Sequence, residues 1–74
     1  MLGTVIFFTW EKGIGFIRGA DNRSYFVHYS NIDHFGYWYL VRSEQVEFDI
    51  ETVKKGARAI HVKSLNNLGG YYGN

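Results

Sequence analysis

The chain has 74 residues, which makes one small domain, and the absence of cysteine excludes stabilisation by disulfides or by thiolate-bound metals. No apolar run approaches the ~20 residues that a membrane span needs, so we expect a soluble protein of the cytoplasm. The formal charge of +1 does not by itself indicate a nucleic-acid partner, but aromatic residues make up 19% of the chain, more than so small a core can easily bury.

Five segments have the composition of β-strands, and turns rich in Gly, Asp and Asn separate several of them. No segment shows a sustained helical period. The sequence therefore predicts an all-β fold, either a small barrel or a sandwich. In chain order the predicted strands are 3–9, 14–19, 24–29, 44–51 and 57–65.

The fourth predicted strand alternates between apolar and acidic residues. Because successive side chains of a strand point to opposite faces, one face is predicted to be buried and the other solvated. The buried face would hold Val46, Phe48 and Ile50, and the solvated face Glu47, Asp49 and Glu51. Residues 66–74 have no charge and many Gly, Asn and Tyr residues, so we expect a flexible tail outside a domain of residues 1–65.

The same alternation in the second and third strands places aromatic side chains on the solvent face. Ile17 and Val27 suit the core, so Phe16, Phe26 and His28 would lie outside. A hairpin between these strands would make the three side chains neighbours, on a surface where a nucleobase gains about 1–3 kcal/mol from stacking.

The glycines and the lysine of the segment "KGIGFI" also suit a ligand-binding surface. Gly13 and Gly15 would allow a tight turn and leave room for a ligand beside the rings, and Lys12 would neutralise a phosphate. Each feature also has a structural explanation, as a core phenylalanine, a surface histidine or a glycine at a barrel corner. Only the combined pattern favours binding.

These residues belong to two motifs, "GTVIFFTWEKGIGFI" and "YFVHYSNI", followed by "YLVRSEQVEFDIE" and "KKGARAIHV". In that order they resemble the bacterial cold-shock proteins over about residues 2–65. The resemblance implies a cold-shock domain, a five-stranded antiparallel β-barrel of the OB type. It also implies a protein that stacks unpaired bases of single-stranded RNA and ssDNA on an aromatic sheet face and acts as an RNA chaperone, transcription antiterminator or regulator.

Carried over by position, the resemblance implies a binding surface formed by Phe7, Phe8, Lys12, Phe16, Phe26, His28, Tyr29, Tyr37, Lys55 and Arg58. Three departures weaken it: Ile6 replaces a usual Lys, Phe7 a usual Trp, and Ile14 a usual aromatic. Two additional rings, Trp10 and Trp38, flank the expected groove, and we include Trp38 among the predicted binding residues. Affinity is expected to persist with an altered base preference.

Two other classes of function are alternatives to nucleic-acid binding. A small barrel of this type could instead dock on a ribosome, a polymerase or a viral assembly partner. An enzyme is the least favoured class, because the three histidines are scattered and neither a carboxylate pair nor a nucleophile–histidine arrangement stands out. We expect no catalytic residue, no metal, no cofactor, no small-molecule substrate and no membrane partner, and a monomer with a weak dimer as the alternative.

Overall fold

The computed structural model describes residues 1–33 and 39–65, and within them the chain forms strands and one short 3₁₀ helix, as the all-β prediction requires. Within these ranges no helix is long and apolar enough to cross a membrane. The 66–74 tail, Tyr37 and Trp38 lie outside the described residues. The elements are β1 (Leu2–Thr9), β2 (Ile14–Gly19), β3 (Ser24–His28), the 3₁₀ helix (Tyr29–Asn31), β4 (Gln45–Val53) and β5 (Gly56–Ser64).

The five strands close into a barrel in the order β1-β2-β3-β5-β4, with β4 paired back to β1. The predicted five-stranded barrel is confirmed. One pairing differs from the predicted antiparallel arrangement, because β3 and β5 run parallel. A parallel pair needs a long crossover connection, and here residues 29–55, which include β4, provide it.

The barrel interior is filled by one inward-facing set of side chains. Ile17, Val27, Val46 and Val62 have no exposed surface, and Phe48 is 1% exposed. The core positions predicted by alternation in β2, β3 and the first half of β4 are therefore confirmed. The complete described core is Val5, Ile17, Tyr25, Val27, Ile32, Leu40, Val46, Phe48, Ala59 and Val62.

Ile50 is the exception to the predicted alternation, because its side chain is 41% exposed. The pairing of β1 with β4 ends at Glu47, so the second half of β4 pairs with β5 alone. None of the residues of β4 from Asp49 onwards is buried. Ile50 keeps the strand period and is paired with the buried Ala59, but the pairing of β4 with β1 has ended before it, and the prediction from alternation was wrong here.

The turn between β2 and β3 is tied to the core through Tyr25, which is buried and contacts the Phe48 ring at 5.4 Å between centroids. The Tyr25 hydroxyl donates a hydrogen bond to the carboxylate of Asp21, and the backbone N–H of Arg23 donates to the same carboxylate at 3.1 Å. The bond from Tyr25 is the main cause that lowers the pKa of Asp21 below its ordinary value.

A carboxyl whose pKa is lower in the folded state stabilises the fold above its unfolded pKa, and this stabilisation is lost as pH falls through the folded pKa. We therefore expect part of the loss of stability below about pH 4 to come from Asp21. In the Asp21→Asn variant the midpoint temperature should fall less between pH 7 and pH 3 than in the parent chain. Equal falls in the two proteins would contradict this assignment.

Candidate functional site

A single transverse row of side chains crosses the outer surface of all five strands. Around the barrel, each member of this row is paired with the next member on the neighbouring strand. Opposite residues of paired strands lie on the same face, so these side chains share one surface. We call this set the outer row, and it consists of Phe7, Phe16, Phe26, Arg58 and Glu51.

The three phenylalanine rings of the outer row make two contacts, one tilted and one edge to face, and neither is a parallel stack. The centroids of Phe7 and Phe16 are 5.7 Å apart with the planes at 51°, and those of Phe16 and Phe26 are 5.8 Å apart at 72°. Phe7 is 43% exposed and Phe16 is 37% exposed. Since neither contact is a parallel stack and both Phe7 and Phe16 keep more than a third of their surface exposed, the row presents aromatic surface on which a planar ligand can stack.

Phe7 reaches the outer row because β1 contains a bulge. Val5 pairs with Ile17 and Phe7 with Phe16, so two steps along β1 correspond to one along β2, with Ile6 as the extra residue. In a regular strand Val5 and Phe7 would share a face, whereas here Val5 is buried and Phe7 is exposed. The sequence pattern did not predict this bulge.

Phe8 was predicted in the same surface, but the structure places it elsewhere. It is only partly exposed and packs against the core. Its partner in β2 is Gly15, and a Cβ atom at Gly15 would lie 2.8 Å from the Phe8 Cα and would collide with the Phe7 carbonyl oxygen. Gly15 therefore lets β1 approach β2 closely.

The prediction that the glycines leave room for a ligand is wrong for Gly15. The space beside Gly15 is occupied by β1. Gly13 has a φ of +67°, which favours glycine, and a Cβ there would collide with the Tyr29 ring. Gly13 thus allows the Tyr29 ring to pack closely, and it also lines the open cleft described below.

A second row next to the first contains Thr9, Ile14 and His28, which are opposite each other on β1, β2 and β3. The His28 ring lies 4.5 Å from the Tyr29 ring at an interplanar angle of 33°. The backbone N–H of Ser30 donates to His28 Nδ1 at 3.2 Å. Because Nδ1 accepts this hydrogen bond, the N–H donor of the ring is on Nε2.

Tyr29 continues from this row into an open cleft of about 440 Å³, lined by Trp10, Glu11, Lys12, Gly13 and Tyr29. Trp10 is 65% exposed and forms one wall of the cleft. The structure thus brings the predicted residues Lys12 and Tyr29 together, with a cation beside two aromatic side chains. That combination suits a base and its phosphate.

The outer row ends in an ion pair that the sequence pattern did not predict. Arg58 Nε donates to Glu51 Oε1 at 2.6 Å, and the two side chains are 42% and 43% exposed. Arg58 was predicted as a ligand contact, while Glu51 was predicted only as a solvent-facing residue. Lys55 is exposed in the turn between β4 and β5. The Glu51 carboxylate offsets the positive charge of Arg58, so the outer row exposes aromatic surface and carries little net charge.

Comparison with known proteins gives a consistent result. The family model described as "'Cold-shock' DNA-binding domain" matches residues 1–65. Cold shock-like protein CspC of Bacillus cereus is 45% identical over 65 residues, which are 88% of this chain and 100% of that protein. A cold shock-like protein of Thermotoga maritima is 43% identical, covering 85% and 96% of the two chains, and cold shock-like protein CspI of Escherichia coli is 42% identical, covering 88% and 94%.

Proposed function

The chain belongs to the cold-shock domain family and is a nucleic-acid-binding protein, and we propose that it stacks unpaired bases of RNA and DNA on its outer row. The neighbouring His28 and Tyr29 extend the stacking surface, and Lys12 contacts the backbone of the strand. Tyr37 and Trp38 are also proposed to contact bases, as the sequence analysis predicts.

The observation that supports this function is the alignment of Phe7, Phe16 and Phe26 across three adjacent strands. Phe7 and Phe16 remain more than a third exposed although a small barrel gains stability by burying apolar rings. Aromatic faces in a continuous row serve successive bases of one strand, at about 1–3 kcal/mol per base. Paired bases hide these faces in a helix, so the surface selects unpaired strands.

Selective binding of unpaired strands lets the protein act as an RNA chaperone that opens RNA structure by binding alone, without consuming chemical energy. A protein that binds only the open form of a hairpin shifts the opening equilibrium by mass action. The same shift, acting on a hairpin in a nascent transcript, would give transcription antitermination. Cold increases the stability of such hairpins, and the relatives named above are described as cold shock-like proteins.

A titration that follows tryptophan fluorescence tests the proposed function. Trp10 is 65% exposed in the cleft next to Lys12, so a bound base should quench it. We expect hexathymidylate and hexauridylate to quench, and a stable hairpin whose stem holds the same run of bases in paired form to bind at least about 10-fold more weakly. The stoichiometry should be one strand per chain.

The salt dependence of the same titration measures the contribution of charge. With Arg58 paired to Glu51, we expect contacts to about two to four phosphates and a slope of log K against log salt between about −1.4 and −2.8. Comparable affinity for the paired hairpin, or a slope steeper than about −4, would contradict a mechanism based on stacking.

A further inference from the structure

The ion pair at the end of the outer row lies directly beside the aromatic surface. Phe26 is opposite Arg58, and Arg58 is opposite Glu51, so the charged groups follow the last ring at one and two strand spacings, each about 4.8 Å. A base stacked on Phe26 can therefore direct one of its edges towards β5 and β4. The groups that meet this edge are a guanidinium and a carboxylate.

The bond between the two side chains leaves hydrogen-bonding capacity on both. A guanidinium has five N–H donors, and the contact with Glu51 uses the one on Nε. A carboxylate has about four acceptor sites on its two oxygens, and only Oε1 accepts from Arg58. The pair thus offers N–H donors from Arg58 beside acceptors from Glu51.

We propose that the Arg58–Glu51 pair recognises the edge of a guanine stacked on Phe26, an inference that rests on the proposed stacking function. Guanine has the acceptor O6 next to two donor groups, N1–H and N2–H₂. O6 accepts from Arg58, and the two donors point to the Glu51 carboxylate. Arginine with guanine O6 is also a frequent specific contact in duplex recognition.

The other bases match the pair less well. Thymine and uracil have a single N–H donor between two carbonyl oxygens, so one of those oxygens would face the Glu51 carboxylate. Adenine has one amino group and no carbonyl, which leaves Arg58 with a ring nitrogen only. Cytosine offers one amino group to Glu51. Only guanine presents two adjacent donors to the carboxylate together with a carbonyl for the guanidinium.

The salt bridge also holds both side chains in place before the base arrives. Glu51 and Arg58 are cross-strand partners on rigid strands, and their contact at 2.6 Å orients each towards the other. A preorganised pair loses less side-chain entropy on binding than two independent side chains. Because both are about half exposed, we expect discrimination at the low end of the usual range, about fivefold rather than 100-fold.

The experiment uses hexathymidylate and two series of derived strands, in which each position in turn carries guanine or adenine. The adenine series controls for the larger stacking surface of a purine. We expect one position at which guanine binds about fivefold more tightly than adenine. In the Glu51→Gln variant this ratio should fall below about twofold, and Arg58→Gln should lower it as well.

Glu47→Gln is the matched control, since it makes the same change in the same strand. Glu47 is exposed, and its cross-strand partner in β5 is Lys63 rather than the residue opposite Phe26. Both variants remove one negative charge and should raise the affinity for hexathymidylate by a similar, small factor. Only Glu51→Gln should remove the guanine preference. The midpoint temperature of each variant checks that the fold is retained.

The outcomes separate the two proposals. Equal binding of the guanine and adenine series by the parent chain overturns the guanine assignment and leaves the stacking function intact. A guanine preference that survives in Glu51→Gln, or that disappears equally in Glu47→Gln, overturns the role of the ion pair. Failure to bind hexathymidylate and every derived strand overturns the stacking function itself and the inference with it.

Discussion

Replacing Phe16 by alanine is expected to weaken the binding of hexathymidylate by about 30-fold, or about 2 kcal/mol. Phe16 lies in the middle of the outer row and its ring contacts both Phe7 and Phe26. Its loss interrupts the stacking surface and leaves the other two rings without their common neighbour. The dissociation constant, measured by tryptophan quenching, checks this prediction.

The stability of the Phe16→Ala variant should change little, because the side chain is already 37% exposed. Leu2→Ala is a suitable control, as it removes an apolar side chain that is 56% exposed and belongs to β1 outside the outer row. We expect this control to bind within about twofold of the parent chain. A loss below about threefold for Phe16→Ala would show that the row is not the main binding surface.

Replacing Phe48 by alanine is expected to cost about 3–5 kcal/mol of the free energy of unfolding. Phe48 is 1% exposed and its ring packs against Tyr25. Its backbone is also fixed, since its N–H donates to the Met1 carbonyl oxygen at 2.8 Å and its own carbonyl oxygen accepts from the Met1 amino group at 2.6 Å. The cavity left by the ring therefore cannot close by a simple strand movement.

Small domains have total stabilities near the lower end of about 5–15 kcal/mol, so Phe48→Ala should be close to unfolding at room temperature. Urea unfolding at low temperature measures the loss. Phe7→Ala is the matched control, with the same substitution at a ring that is 43% exposed. We expect it to cost about 1 kcal/mol or less, since little apolar area is lost from the interior. Similar losses for the two variants would contradict the assignment of inner and outer faces.

Strand period was enough to predict the strands and most of their buried positions, whereas the choice of a barrel over a sandwich came from the resemblance to the cold-shock proteins. Alternation separates Ile17 and Val27 from Phe16 and Phe26 without any information on pairing, and the described burial agrees. The reason is that a barrel this small has one interior, so each strand has one apolar inner face over most of its length. The strand bounds differ from prediction by no more than two residues.

The features that the sequence did not predict all depend on pairing between strands. The bulge at Ile6 appears only when β1 is aligned with β2. The exposure of Ile50 depends on where the pairing of β1 with β4 stops. The salt bridge between Glu51 and Arg58 needs the register of β4 with β5. A pattern of period two within one strand does not determine how that strand is aligned with its neighbours, so it cannot predict these three features.

The parallel contact between β3 and β5 also bears on how the molecule opens. Its register includes one pair, Phe26 with Arg58, and an isolated bridge joins Ile32 to Val62. The contact between β3 and β5 is therefore the junction between the antiparallel meander of β1 to β3 and the hairpin of β4 and β5. In the proposed binding mode, a strand of nucleic acid lies along the outer row and crosses this junction. Bound nucleic acid should therefore stabilise this junction against local opening, because the described residues form few backbone hydrogen bonds between β3 and β5. We expect it to slow amide hydrogen exchange on both sides of the junction.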